Sequence, residues 1–113
     1  MLTEQEEKRR FPRIDLRVPL RVQVLGQPRF DNTITDNVSA GGVGFTAEEF
    51  MPTETPLMLE FNIFSRLIRC IGKVVWSAPL AHSNKNRIGV ELAEINPECK
   101  QFLADYLTMQ IKQ

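Results

Sequence analysis

Apolar residues change their period once along this chain, and that change limits the possible folds more than any other feature. From Leu16 to Val24, apolar Leu16, Val18, Leu20, Val22 and Val24 alternate with Arg17, Pro19, Arg21 and Gln23. A period of two belongs to a strand with one buried face, and Pro19 points to an edge or an unpaired position. Gly26-Gln27-Pro28 reads as a turn, and a second strand runs from Arg29 to about Asp36. The turn Asn37–Gly42 leads into a short third strand through Val43 and Phe45. A loop from Glu48 to Pro56 follows. Leu57, Leu59, Phe61 and Ile63 then mark a fourth strand, and Arg66–Ser77 a fifth. In the fifth, Ile68, Cys70, Gly72, Val74 and Trp76 share one face by alternation. A polar loop at 83–86 precedes a sixth strand, Arg87–Ala93, burying Ile88, Val90 and Leu92.

After Ile95 the spacing lengthens. Phe102, Leu103, Tyr106, Leu107 and Ile111 recur every three or four residues, the stripe of an amphipathic helix. Asn96 is a natural N-cap, Pro97 suits the first helical position and Glu98 the positive end of the dipole, so the helix covers about 97–112. Six short strands and one helix in 113 residues predict an all-β fold with a C-terminal helix. The expected form is a six-stranded antiparallel β-barrel with the helix packed on or across it. The chain is long enough for one core and too short for two. Residues 1–8 read as a solvated leader and 9–113 as the barrel domain.

Composition narrows the function. The formal net charge is zero, which disfavours bulk attachment to nucleic acid or an anionic membrane. No apolar stretch has the length of a membrane span or the form of a secretory signal, so the expectation is a cytoplasmic protein. Cys70 and Cys99 lack metal-site spacing and read as reduced, buried thiols. His82 is the single histidine and has no carboxylate close in sequence to orient it. No nucleophile motif, dinucleotide fingerprint or metal set is present, so no catalytic residue, no metal and no cofactor is assigned.

Positive charge is concentrated between Lys8 and Arg21, where Lys8, Arg9, Arg10, Arg13, Arg17 and Arg21 face only Asp15. Pro12 removes a backbone donor and pushes Phe11 toward extended conformations, which disfavours a regular helix through Arg9–Arg13. In an extended arm the Arg9 and Arg13 α-carbons stand about 12 Å apart, close enough to reach different groups of one nucleotide. Guanidinium forks match both phosphate oxygens and the outer edge of guanine. A solvated run paired with Glu4, Glu6 and Glu7 is the plainer alternative.

The turn offers a second set of polar groups. Asn37 and Ser39 stand two residues apart, so at a strand end they share a face, and Gly41 and Gly42 permit close approach of a ligand. The plainer alternative is a turn whose Asn and Ser bond their own backbone.

Arg9-x-x-x-Arg13 followed by Asn37-x-Ser39-x-x-Gly42 resembles the RxxxR and (D/N)xSxxG pair of PilZ domains, receptors for cyclic diguanylate (cyclic di-GMP). The runs Gly42–Phe45, Gly72–Trp76 and Arg87–Leu92 are similar to that family as well. The resemblance implies that Arg9 and Arg13 hold the guanine edge and the phosphates. It implies that Asn37 and Ser39 hydrogen-bond a base while Gly42 keeps the turn tight. Lys8 and Arg10 are secondary candidates for phosphate. Trp76 is a secondary candidate for stacking on a base, although alternation assigns it to the core. The implied function is a cyclic di-GMP receptor that alters contact with a downstream protein partner. The alternatives are an adaptor that binds no nucleotide, and a small barrel binding single-stranded nucleic acid.

Overall fold

A computed structural model describes residues 14–112. The leader at 1–8 and the residues Lys8, Arg9, Arg10 and Arg13 lie outside the described residues. The strands are β1 (Pro19–Val24), β2 (Phe30–Val38), β3 (Gly42–Ala47), β4 (Pro56–Ile63), β5 (Arg66–Pro79) and β6 (Asn86–Ile95), followed by helix α1 (Pro97–Lys112). All neighbours are antiparallel, and the order β1-β2-β3-β6-β5-β4 closes on itself through β1 and β4. Closure leaves no unpaired edge, which removes the usual route to edge-to-edge aggregation.

The alternating positions point inward as their period requires. Leu20, Val22, Leu57, Leu59, Phe61, Ile63, Ile68, Cys70, Val74, Ile88 and Val90 are all buried in one cluster. Helix α1 seals the barrel with Leu103 and Leu107, and Asn96 caps it by accepting the Glu98 N–H at 2.8 Å. Cys70 and Cys99 are free thiols, Cys70 buried but Cys99 only half-buried. His82 is exposed with φ of 59° in the β5–β6 connection, as its loop position suggested.

Two bulges interrupt the long β5–β6 ladder. One lies between Ile71 and Gly72, the other between Val74 and Trp76. At the second, β5 advances two residues while β6 advances one, from Val74↔Val90 to Trp76↔Gly89. An extra residue inverts the inward phase beyond it. Trp76 therefore leaves the core face that alternation assigns to it and is 39% exposed. Ser77 becomes the half-buried residue instead, and its hydroxyl finds no hydrogen-bond partner.

Candidate functional site

The chain enters the described region pinned to the end of β2. Ile14 and Val38 exchange N–H···O bonds of 3.1 and 3.0 Å, and Thr35 N–H donates to the Val18 carbonyl. The Thr35 side chain is fully buried; its hydroxyl donates to the Leu16 carbonyl and accepts the Val18 N–H. A buried hydroxyl satisfied in both directions makes a firm clamp on residues 16–18. The entering segment is thus fixed against Val38, the residue between Asn37 and Ser39.

Asn37 belongs to a transverse row on the outer face of the barrel. Pairing runs Asn37↔Gly44, Gly44↔Gly89 and Gly89↔Trp76 across β2, β3, β6 and β5. The two ends fold over the two glycines. A Cβ built on Gly44 would sit 3.0 Å from Asn37 Nδ2, and one on Gly89 only 2.1 Å from Trp76 Nε1. The carboxamide therefore lies over Gly44 and the indole over Gly89. Both glycines are buried beneath those side chains, so the seat this row offers a planar, hydrogen-bonding group is the carboxamide at one end and the exposed indole at the other.

Charge flanks this seat. Thr46↔Arg87 is the next outward pair along β3 and β6, with Arg87 3.9 Å from Asp36, which also accepts from Thr46 at 3.3 Å. On the other side, Gly42, Glu91 and Lys73 form the corresponding row. Among the described residues no group of three His, Cys, Asp or Glu side chains is placed to hold a metal. No described helix is long and apolar enough to cross a membrane.

Ser39 and Gly42 serve the turn. Ser39 is buried; its Oγ accepts the Gly41 N–H at 3.2 Å and contacts the Gly42 carbonyl at 3.3 Å, and its own N–H donates there at 2.8 Å. Local hydroxyl-to-backbone bonding thus applies to Ser39. Gly42 does not have a positive φ; a Cβ on it would lie 2.7 Å from the Val90 carbonyl oxygen, so the missing side chain lets β3 approach β6. Of the predicted site residues, the fold brings Asn37 and Trp76 into one row with Ser39 and Gly42 beside it. Gly44, Gly89 and Arg87 were not singled out from the sequence. An outward-phase glycine inside a strand, as at Gly89 between Ile88 and Val90, was the readable signal.

A cavity of about 550 Å³ opens where β1 and β3 end, lined by Val22, Phe45, Met51, Arg29 and Lys85 among others. Among the described residues, it contains none of the predicted site residues Asn37, Ser39, Gly42 and Trp76.

Barrel, sealing helix and outer-face row define a small closed-barrel domain that carries Asn37 and Trp76 on one outer surface. The sequence model of the PilZ domain family matches residues 7–108, and the chain belongs to that family. Solved structures agree on the fold. The Bacillus subtilis inhibitor of motility superposes with a TM-score of 0.79 at 20% identity, over 89% of this chain and 50% of that one. This chain thus spans half the length of the Bacillus protein. The PilZ domain of YcgR from Escherichia coli, solved with c-di-GMP, gives 0.68 at 14% identity over 93% and 95% of the two chains. A tetrameric PilZ protein from Xanthomonas campestris gives 0.70 at 11% identity over 91% and 89%. No curated protein matches by sequence.

Proposed function

We propose that this chain is a receptor for cyclic di-GMP that converts binding of the dinucleotide into altered contact with a protein partner. The observation that carries the reading is the Ile14–Val38 pairing, which ties the entering segment to the end of β2 between Asn37 and Ser39. Arg13 directly precedes Ile14 in the sequence, which supports reading the two motifs as one site. Family membership and the structure of a PilZ domain holding c-di-GMP support the same ligand.

In this reading Arg9 and Arg13 take the phosphates and a guanine edge by charge-assisted, bidentate hydrogen bonds. Asn37 hydrogen-bonds a base, and Trp76 offers its exposed face for stacking. Such stacking contributes about 1–3 kcal/mol per base. Ser39 holds the shape of the turn, and Lys8, Arg10 and Arg87 add positive potential. The ligand orders the arginine segment against the barrel, and the reshaped surface is what a partner reads. Among the described residues, the exposed aromatics Phe50, Phe64 and Trp76 lie on three separate elements, not along one strand as single-stranded nucleic-acid binding favours.

Isothermal titration with cyclic di-GMP tests the reading. Saturable binding is expected, abolished by Arg13→Ala and weakened by Asn37→Ala. A flat titration with folded protein refutes it and favours an adaptor that binds no nucleotide.

A further inference from the structure

The sealing helix brings a second thiol toward the one buried in the barrel. Leu103 and Leu107 are the residues with which α1 closes the core, and Cys99 lies four residues before Leu103. Four residues are about one helical turn, so Cys99 begins the same barrel-facing stripe. It packs against the core cluster and is half-buried. The turn that carries it is fixed by its cap: Asn96 Oδ1 accepts the Glu98 N–H at 2.8 Å and the Cys99 N–H at 3.4 Å.

Cys70 reaches the same end of the barrel from β5. Its side chain points inward and is 3% exposed. Its cross-strand partner is Ile95, the last residue of β6 and the one before the Asn96 cap. Directly paired antiparallel residues have α-carbons about 4.5–5.5 Å apart. The junction of β6 with α1 therefore lays the first helical turn over the inward face at Cys70. The electrostatics agree with that placement. Burial pushes the Cys70 thiol up, and the charge of a neighbouring Cys99 adds to the rise.

The two sulfurs differ in access. Cys70 is enclosed by the core, whereas Cys99 is only half-buried at the helix end and is the one a small oxidant meets first. Both are free thiols. A disulfide between them would close a loop of about 30 residues and tie the cap of the barrel to its wall.

We infer that Cys70 and Cys99 form a reversible disulfide lock that fastens the first turn of α1 to β5 when the protein meets hydrogen peroxide. In the first step the Cys99 sulfur attacks the peroxide; the O–O bond breaks, an S–O bond forms, and the products are a sulfenic acid and one water. The Cys70 sulfur then attacks the sulfenic sulfur. The S–O bond breaks, and hydroxide leaves with the Cys70 proton as a second water. The two thiols supply the two electrons that reduce the peroxide. A small thiol attacking at the accessible Cys99 sulfur reopens the bond. The inference is independent of nucleotide binding.

Treatment of the full chain with a small molar excess of hydrogen peroxide, followed by mass spectrometry without reductant, tests it. A loss of two hydrogen masses is expected, with a tryptic product joining Cys70–Lys73 to Ile88–Lys100. The linked chain should melt about 5–15 °C higher than the dithiol, and dithiothreitol should return both mass and Tm. Cys99→Ser, a conservative change at a half-buried position, should keep the fold and show no peroxide-dependent rise in Tm. The inference is overturned by a chain that stays a dithiol, by Cys99 carrying two or three oxygens without the linked peptide, or by a bond between two chains. A linked chain whose Tm does not rise overturns it as well.

Discussion

Gly89→Ala perturbs the centre of the candidate site by one methyl group. The new Cβ would stand 2.1 Å from Trp76 Nε1 and 2.2 Å from Cε2, so the indole must leave its seat. The backbone of β6 stays, because Gly89 has no positive φ and alanine fits an extended conformation. A large aromatic side chain covers about 150–250 Å² when fully buried. At 39% exposure, Trp76 keeps roughly 90–150 Å² covered. At ~25 cal/mol per Å² that burial is worth about 2–4 kcal/mol. A ring that swings outward but retains half its contacts loses about 1–2 kcal/mol, and reduced freedom of the unfolded chain returns about 0.4–1. The net loss of ~1 kcal/mol lowers Tm by about 4–8 °C. Trp76 is the sole tryptophan, so fluorescence reports on this ring alone. Emission should shift to the red, acrylamide quenching should increase, and loss of stacking should weaken cyclic di-GMP binding roughly 5- to 150-fold. Gly44→Ala is the control: its Cβ meets Asn37 at 3.0–3.3 Å, and the tryptophan spectrum should not change. An unaltered emission maximum and Tm in Gly89→Ala would refute the placement of the indole over Gly89.

Thr35→Val removes the hydroxyl that serves both Leu16 and Val18 and leaves a buried carbonyl and N–H without it. A loss of about 1–3 kcal/mol in denaturant unfolding is expected, with weaker nucleotide binding as the entering segment loosens. Burial, reinforced by the neighbouring Cys99, pushes the Cys70 thiol up to about 12 from an ordinary 9.0. The raised value means the neutral thiol stabilises the fold fully below pH 9, and that contribution is lost as pH rises toward 12. Cys70→Ala should therefore remove a decline of up to ~1.4 kcal/mol per pH unit above pH 9, read as the difference between the two unfolding curves. An identical alkaline slope in both proteins would count against a buried Cys70 thiol.

Much of this architecture was legible from side-chain period alone. Alternation marked Leu20, Val22, Leu59, Phe61 and Ile68 as inward, and all are buried. The lengthened spacing and the Asn96 cap placed the helix at its observed bounds. These signals are local: each depends on residues within a turn or a strand of one another. The face of Trp76 was not legible, because a bulge is a mismatch between two strands and only the register of β5 on β6 contains it. Ser39 and Gly42 stand in the sequence as members of a motif. Their physical roles, bonding within the turn and letting β3 approach Val90, depend on neighbours brought in by the fold. The same holds for the row from Asn37 to Trp76, whose middle positions, Gly44 and Gly89, come from strands far apart in sequence. The sequence by itself determined which elements form and which motifs they carry, since periodicity and capping act over a few residues. Only the closed barrel decided which of those residues share a surface, because register across strands is set by packing of the whole core.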